Sequence, residues 1–212
     1  GYRFRDEALL DQALTHRSAG QGHYERLEFL GDALLNFVVA QMLYKRCPEL
    51  SEGDLTRMRA ALVREETLGS VAQDLALADA VQLGGSALKS GVYRRRSGLA
   101  DTVEALIGAV LLDADIPTAT ECVERWWGPR LAALPDPHSL KDPKTRLQEW
   151  LQGRSRPRPE YEVIEMTGPP HRQRFRVACV LGDDELRAEG QGSSRRGAEQ
   201  NAARAMLEQL DA

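Results

Sequence analysis

The sequence contains few of the residues that bind zinc or form disulfides. Its three cysteines, Cys47, Cys122 and Cys179, lie far apart, form no CxxC pair and have no histidine beside them. This spacing argues against a zinc site and against a disulfide framework. Free cysteines are usually small core residues, so we expect all three to be buried and the protein to be cytoplasmic.

Long apolar segments are also lacking. The chain has no uninterrupted apolar run of about 18 residues, as a membrane-spanning helix requires, and no basic start followed by an apolar core and a small-residue cleavage site. We therefore expect neither a membrane span nor a signal peptide. With 212 residues, 42% of them hydrophobic and 28% charged, the chain is long enough for one large or two small globular domains.

The chain lacks the excess of positive charge with which some proteins coat nucleic acid, because its net charge is −4. The charge is unevenly distributed. Residues 1–142 contain 16 Lys and Arg against 21 Asp and Glu, whereas residues 143–212 contain 12 against 11. Any site for a polyanion must therefore be a local patch, and we expect it in the C-terminal part.

The sequence pattern divides the chain into two domains. Helical periodicity from residue 6 to residue 134 predicts an all-α domain over residues 1–134. The proline-containing stretch AALPDPHSLKDP then predicts a linker over residues 135–143. From residue 144 to residue 212, a short helix, three alternating segments and a final helix predict an α+β domain with the order α-β-β-β-α.

Two nearly apolar helices each carry carboxylates on one face. In YERLEFLGDALLNFVV, residues 24–39, the acidic positions are Glu25, Glu28 and Asp32, and in LADTVEALIGAVLL they are Asp101 and Glu104. Spacings of three and four place such residues on one stripe of a helix. One such group alone is most simply a solvated helix edge. The two groups together indicate carboxylates that converge and are neutralised by cations.

Gly31 and Gly108 lie inside these two helices, where glycine costs about 1 kcal/mol relative to alanine. We interpret them as points where the helix backbones approach closely. If the helices pack together there, four or five carboxylates form an oxygen-only site, which suits Mg²⁺ or Mn²⁺. The missing Glu-x-x-His pattern disfavours a di-iron centre.

These segments resemble the ribonuclease III family. ERLEFLGDALL is similar to the signature helix of that family and LADTVEALIGAVLLD to its second acidic motif, while ALTHRSA and SEGDLTRMRAALV match further blocks in the same order. The stretch from DPKTRLQEWLQG to QGSSRRGAEQNAA resembles its double-stranded RNA-binding domain. The resemblance covers essentially the whole chain. It implies an all-α endonuclease domain followed by an α+β RNA-binding domain.

The resemblance implies an endoribonuclease that depends on Mg²⁺, with Mn²⁺ as a substitute, and cleaves double-stranded RNA in rRNA and mRNA processing. The products would carry 5′-phosphate and 3′-hydroxyl ends. Glu28, Asp101 and Glu104 would be metal ligands, and Asp32 and Glu104 catalytic carboxylates. One alternative is a double-stranded RNA-binding protein that does not cut. A carboxylate-bridged metal oxidase is a weaker alternative, opposed by the missing Glu-x-x-His pairs.

The resemblance also assigns roles outside the metal site. Glu25 and Glu52 match acidic positions near the cleft, with plain surface ion pairs as an equal alternative. His16 is expected to be a structural hydrogen-bonding residue. The implied RNA-binding residues are Thr145, Gln148, Glu149, His171, Ser193, Ser194, Arg195 and Arg196. Sequence-specific readout is not implied.

The expected partners are double-stranded RNA and a second copy of the chain, with no membrane. One chain supplies one acidic cluster, whereas cutting two strands calls for two, so a twofold homodimer is expected. Phe29, on the signature helix, is the candidate interface residue, and a buried core position is its alternative.

The chain departs from the family pattern at three positions. Ala87 and Arg96 replace acidic residues near the second acidic motif, and Gly197 replaces a lysine in the final helix. Arg94, Arg95 and Arg96 are either a phosphate-contacting cluster or a solvated run. The missing lysine predicts fewer phosphate contacts and a greater dependence on contacts at the metal cleft.

Overall fold

The computed structural model describes residues 2–85, 96–134, 137–182 and 186–210. It divides into two units, Gly1–Pro137 and His138–Ala212, and this division falls inside the predicted linker. The predicted fold class is confirmed, because a helical unit precedes a unit with a three-stranded sheet and a C-terminal helix. Ala87, Arg94 and Arg95 lie outside the described residues, and so does the side chain of Arg96.

The described part of the first unit consists of α-helices, short 3-10 helices and connecting loops, with an isolated bridge between Thr15 and Gln82. Three of its helices begin at side chains that accept a hydrogen bond from a backbone N–H of the first turn, namely Asp6, Ser51 and Asp115. Such N-caps satisfy donors that have no partner within the helix. The α-helices are α1 (Glu7–Leu14), α2 (Glu25–Arg46), α3 (Glu52–Val63), α4 (Glu65–Asp74), α5 (Arg96–Asp113) and α6 (Ile116–Ala132).

Helices α2 and α5 cross at the two glycines predicted to permit close approach. A Cβ atom on Gly31 would lie 1.8 Å from the backbone oxygen of Glu104, and one on Gly108 would lie 2.2 Å from that of Leu27. Neither distance is physically acceptable for a side-chain carbon. The prediction from the glycines is therefore confirmed, and the crossing brings the acidic stripes of the two helices together.

Helix α5 is apolar on nearly all sides because it lies at the centre of the first unit, where Val103, Ala105, Ile107 and Val110 are at most 1% exposed. The large buried side chain of Trp127 in α6 donates a hydrogen bond to the backbone oxygen of Leu62 at 2.8 Å. The Trp127 side chain thus fills space in the core while its indole N–H keeps a hydrogen-bond partner.

One helix of the first unit meets the length and composition of a membrane span. By length and composition alone, α2 is long and apolar enough to cross a membrane. The core helix of a soluble protein passes the same test, and α2 packs against α3, α5 and α6. Its charged residues lie in its first eight positions, at Glu25, Arg26, Glu28 and Asp32, and in its last two, at Lys45 and Arg46.

The cysteine prediction is correct at two positions and wrong at one. All three thiols are free, and Cys122 and Cys179 are buried. Cys47 is only half-buried, because it follows the last residue of α2, where its backbone N–H closes the final turn on Leu43.

The second unit places two helices on one antiparallel sheet with the strand order β1-β2-β3. Its elements are α7 (Pro143–Gln152), β1 (Glu160–Thr167), β2 (Arg174–Leu181), β3 (Leu186–Gly192) and α8 (Arg195–Leu210). A Cβ atom on Gly190 would lie 2.1 Å from the backbone nitrogen of Ala202, so β3 and α8 pack with backbones in close contact. The core consists of Leu147, Leu151, Cys179, Leu181, Ala188, Ala202, Ala203, Met206 and Leu207.

Candidate metal centre and nucleic-acid interface

Glu28 of α2 and Asp101 and Glu104 of α5 form one group, which we call the carboxylate triad. One carboxylate oxygen from each residue lies within 4.8 Å of the other two, and all three residues are half-buried. The close crossing of α2 and α5 at Gly31 and Gly108 produces this convergence. The structure therefore brings together the three residues predicted as metal ligands.

The carboxylate triad lies in a cleft of about 380 Å³, which we call the acidic cleft. Asp32 lines this cleft but is exposed and stands beside the triad. The Nδ2 of Asn36, one helical turn later, donates to the Oδ1 of Asp32 at 2.7 Å. The lining residues are Arg17, Tyr24, Glu25, Glu28, Phe29, Asp32, Asp101 and Glu104.

The electrostatics of the acidic cleft favour binding of a cation. Burial, followed by the negative charges of Asp32, Glu28 and Asp101, raises the pKa of Glu104 to about 8. Burial and the neighbouring Asp101 also raise the pKa of Glu28. Without a cation, this group therefore retains a proton near neutral pH. A partly buried set of carboxylate oxygens fits a small divalent ion such as Mg²⁺, which prefers oxygen ligands.

Tyr24 is a site residue that the sequence did not reveal. It is 1% exposed, and its hydroxyl donates to the Oδ2 of Asp101 at 3.1 Å. Its ring packs edge to face against His16, with 5.5 Å between the centroids. The partner of Tyr24 lies 77 residues away, so no local pattern predicts the contact. The available signal was a tyrosine placed immediately before the acidic helix.

His16 has a structural role, as expected. Its Nδ1 accepts a hydrogen bond from the backbone N–H of Ser18 at 3.1 Å and lies 2.8 Å from the Oγ of Ser18. The backbone N–H of His16 donates to the oxygen of Gln82 at 2.9 Å. Burial and the nearby Arg17 lower the pKa of this imidazole. It therefore remains neutral at physiological pH and holds the segment beneath Tyr24.

The other predicted residues of the first unit differ in position. Glu25 lines the acidic cleft and lies 3.7 Å from Arg17 and 3.6 Å from His23. Glu52 is at the start of α3, where it accepts a hydrogen bond from Thr56, and it is not among the residues that line the cleft. Phe29 lines the cleft and is 80% exposed, which rules out the alternative of a buried core residue.

All eight predicted RNA-binding residues are exposed on the second unit. Thr145, Gln148 and Glu149 share one face of α7, as spacings of three and four require. Thr145, Arg195 and Arg196 line a common depression, so the structure brings α7 and the start of α8 together. His171 lies in the exposed turn between β1 and β2. Ser193, Ser194, Arg195 and Arg196 surround the N-terminus of α8.

Carboxylates partly neutralise the basic start of α8, which the sequence did not suggest. Glu199 accepts from the Nζ of Lys144 at 2.6 Å and from the Nε of Arg195 at 2.9 Å. Although burial opposes it, these two hydrogen bonds lower the pKa of Glu199. Arg196 lies 3.9 Å from Asp142. Lys144 and Arg195 are therefore engaged within the protein, whereas the Arg196 side chain is 82% exposed.

Comparison with known proteins matches both units. The family described as Ribonuclease-III-like matches residues 6–131, and the Double-stranded RNA binding motif matches residues 143–210. The chain is 54% identical over 211 residues to Ribonuclease 3 of Xylella fastidiosa (strain M23), covering 100% of this chain and 93% of that protein. It is 52% identical over 211 residues to Ribonuclease 3 of Pasteurella multocida (strain Pm70), covering 100% and 94%.

The first unit is also similar to a solved structure. The nuclease domain of ribonuclease III from Campylobacter jejuni superposes with a TM-score of 0.58 and 40% identity, covering 59% of this chain and 88% of that chain. That structure is described for flexibility in a region involved in dimer formation.

Proposed function

The chain belongs to the ribonuclease III family, and we propose on that premise that its acidic cleft uses Mg²⁺ to cleave RNA. The chain is a double-stranded RNA endoribonuclease. The single observation that carries the metal proposal is the carboxylate triad, whose oxygens lie within 4.8 Å of one another. Mn²⁺, which accepts the same oxygen ligands, is the expected substitute.

In this proposal Glu28, Asp101 and Glu104 hold the ion. When bound, the divalent ion activates water and stabilises charge on the departing 3′ oxygen, which leaves 5′-phosphate and 3′-hydroxyl ends. Asn36 donates to the Oδ1 of Asp32 and thereby orients this carboxylate, so that Asp32 would accept a proton or hydrogen bond from the reacting groups. Glu25, held beside Arg17, supports the edge of the cleft.

The second unit binds the RNA duplex. A-form RNA exposes 2′-hydroxyls and phosphates across its wide minor groove, and its base edges in the major groove are inaccessible. We propose that the α7 face with Thr145, Gln148 and Glu149 reaches this minor groove, assisted by His171. The serines and arginines at the start of α8 would then contact phosphate, where free backbone N–H groups also favour anions.

A homodimer is proposed to assemble through an exposed apolar stripe on α2. Phe29, Phe37 and Tyr44 are 80%, 58% and 74% exposed, and their spacings of eight and seven residues place them on one side of the helix. Exposed apolar patches mark protein interfaces. The dimer-forming region described for the Campylobacter jejuni nuclease domain supports a second copy as the partner.

The cellular context is proposed from the family. Ribosomal and messenger RNA processing is the expected task, because both substrates fold into duplexes. A cytoplasmic location is consistent with the three free thiols, and fractionation of cells that express the tagged chain would test it.

The decisive experiment incubates the full chain and its Glu104→Gln variant with a long RNA duplex, with Mg²⁺ or with EDTA. Wild type with Mg²⁺ should cut, and the product 5′ ends should be ligatable phosphates. Glu104→Gln should reduce cutting by at least about 100-fold, the scale of losing one direct contact to the reacting charge, while duplex affinity stays within about twofold. Intact duplex bound by the wild type with Mg²⁺ would instead support the non-cutting alternative.

A further inference from the structure

Three arginines alternate in the segment that joins α7 to β1, at positions 154, 156 and 158, and we call residues 153–159 the arginine loop. The loop is fixed on the last turn of α7. The backbone N–H groups of Arg154 and Arg156 donate to the oxygen of Leu151 at 3.0 and 2.9 Å. The guanidinium of Arg154 lies 3.8 Å from the ring centroid of Trp150. These cations therefore project from an ordered backbone.

A cleft of about 320 Å³ connects the arginine loop with the α7 face proposed to bind RNA. Gln148 and Gln152 line it on the helix side, and Arg156 and Arg158 line it on the loop side. Gln152 is seven residues after Thr145 and so shares the face of Thr145 and Gln148. The face proposed for the minor groove therefore continues directly into a basic wall.

The two ends of α7 differ in available positive charge. At its start, Glu199 holds Lys144 and Arg195. At its end, neither Arg154 nor Arg158 has an ion-pair partner among the residues that the structure describes. A minor groove is bordered by two phosphate strands, and phosphate contacts supply most of the affinity for a duplex.

We propose that the arginine loop binds the RNA phosphate strand that borders the minor groove facing α7. This inference rests on the proposed placement of RNA against α7. The competing explanation is that cations at the C-terminus of α7 only complement the helix dipole. That explanation concerns stability and predicts no change in the salt dependence of RNA binding.

The test compares two double variants, both in the Glu104→Gln background with EDTA so that the duplex is not cut. Arg154→Gln/Arg158→Gln removes two loop cations. Arg176→Gln/Arg187→Gln removes two cations that pair with Glu189 on the sheet. Affinity for a long RNA duplex is measured over a series of KCl concentrations. The loop variant should flatten the log-log salt dependence by roughly one to two units, and the sheet variant should leave it unchanged.

Arg154 stacks on Trp150, so its replacement could disturb the fold. Arg158→Gln alone, which removes no such stacking contact, should flatten the slope by roughly one unit. The proposal would be overturned if wild type and Arg158→Gln had the same slope of log affinity against log salt. It would also be overturned if both double variants lost the same amount of duplex affinity. Gln148→Ala tests the α7 face separately. If neither Gln148→Ala nor the loop variants change duplex affinity, the placement of RNA against α7 is wrong. If Gln148→Ala weakens binding and the loop variants do not, only the role of the arginine loop is rejected.

A second, independent observation concerns the metal site. The Tyr24 hydroxyl is buried and donates to Asp101, and its ring is held by His16, which Ser18 in turn fixes. A Cβ atom on Gly84 would lie 1.9 Å from the backbone oxygen of Ser18, so this segment is packed tightly from outside. This chain of contacts fixes the orientation of the Asp101 carboxylate relative to Glu28 and Glu104.

We infer that Tyr24 is a positioning residue for the metal ligand Asp101. Hydrogen bonds to metal ligands typically change metal affinity by 10 to 100-fold. Tyr24→Phe removes the donor and keeps the ring against His16. It should weaken Mn²⁺ binding to the RNA-free protein, measured by calorimetry, by about 10-fold. The Mg²⁺ concentration for half-maximal cleavage should rise by the same factor, while cleavage at saturating Mg²⁺ should recover.

Tyr161→Phe, a matched change at a half-buried tyrosine of the other unit, should leave metal affinity unchanged. A purely structural role for Tyr24 predicts a lower unfolding temperature with unaltered Mn²⁺ affinity, and that result would reject the inference. Loss of cleavage that saturating Mg²⁺ does not restore would also reject it, because Tyr24 would then act beyond orienting the ligand.

Discussion

At the scale of single residues, the acidic cleft is organised around Glu104. Burial and three neighbouring carboxylates all disfavour its charged form, whereas the nearest cation in the cleft, Arg17, is exposed and approaches Glu25. Isolated negative charges in a half-buried place are costly. A divalent ion removes this cost, so the residue arrangement connects metal binding, proton release and stability.

The first prediction concerns pH. The folded-state pKa of Glu104 is about 8, above the ordinary value of 4.5. Between these values the folded state keeps a proton that the unfolded state has released, so stability falls as pH rises. In EDTA, the unfolding temperature should therefore decrease from about pH 5 to about pH 8. Mg²⁺ favours the ionised carboxylate, so its stabilising effect should increase over the same range.

Thermal unfolding at several pH values, with EDTA or Mg²⁺, measures both effects. Glu104→Gln is the control, because the amide does not titrate, and its curve in EDTA should be flatter than that of wild type. Parallel curves for the two proteins would contradict the assignment of this pH dependence to Glu104.

The residues that sequence analysis found and missed differ in one physical respect. The convergence of Glu28, Asp101 and Glu104 was predicted because each belongs to a helix whose apolar pattern makes a carboxylate conspicuous. Tyr24 was missed because its meaning depends on a contact with Asp101 across 77 residues. The neutralising role of Glu199 was missed for the same reason, since its partner Lys144 lies 55 positions earlier.

At the scale of elements, the crossing of α2 and α5 sets the site geometry. The helices are close because each has a glycine at the contact, and the residues that flank these glycines include Glu28, Asp32 and Glu104. Helical periodicity predicted both elements, and the glycines predicted their contact. The position at which α2 ends was less predictable. Cys47 is partly exposed because the helix ends one residue before it, and helical periodicity does not fix that end.

The second prediction is that Gly31→Ala destabilises the first unit by about 3 kcal/mol, the upper part of the range for overpacking. Its Cβ would meet the backbone oxygen of Glu104 at 1.8 Å, and backbone cannot move aside as a side chain can. Gly128→Ala in α6 is the control, because apart from its two chain neighbours no atom lies within 4 Å of its Cβ. The gain from helix propensity is opposed by crowding between the new Cβ and Pro129, so this control should change stability by less than about 1 kcal/mol. Urea unfolding measures the stability of both variants. Similar changes in stability at the two sites would contradict the close backbone contact of α2 and α5 at Gly31.

The third prediction concerns Gly197 in the first turn of α8. Replacing it with lysine should add one phosphate contact and steepen the log-log salt dependence of duplex binding by roughly one unit. Helix propensity should add up to about 0.5 to 1 kcal/mol of stability, less a few tenths for a cation near the positive end of the dipole. The Oγ of Ser194 would lie 3.2 Å from the new Cβ, so this side chain must shift slightly.

Gly197→Ala separates the two effects of that change. It should give the gain in stability without a change in salt dependence. If Gly197→Lys and Gly197→Ala showed the same slope over a range of KCl, the lysine would not reach phosphate, and the placement of RNA beside α8 would be wrong.

At the scale of the whole molecule, the two units have different chemistry. The helical unit contains the acidic cleft, which repels RNA unless a cation is present, and the second unit matches the double-stranded RNA binding motif. Composition predicted this division, since residues 143–212 have slightly more positive than negative side chains. The exposed stripe on α2 was less predictable, because Phe37 and Tyr44 look like core residues in an apolar helix until their exposure is known.

The last prediction is that the full chain is a dimer in light scattering and that Phe37→Glu makes it monomeric. A buried charge without a partner disrupts an apolar interface, and Phe37 is 58% exposed in the single chain. Ile116→Glu is the matched control, because Ile116 is also 58% exposed but lies at the start of α6. The Ile116→Glu protein should remain dimeric.

The two variants should also differ in how they cut RNA. A dimer presents two acidic clefts to the two RNA strands, whereas a monomer presents one. The Phe37→Glu protein should therefore accumulate nicked duplex, and the Ile116→Glu protein should cut both strands. Clean double-strand cutting by a monomeric Phe37→Glu protein would show that one acidic cleft serves both strands, and the functional argument for the dimer would then fail.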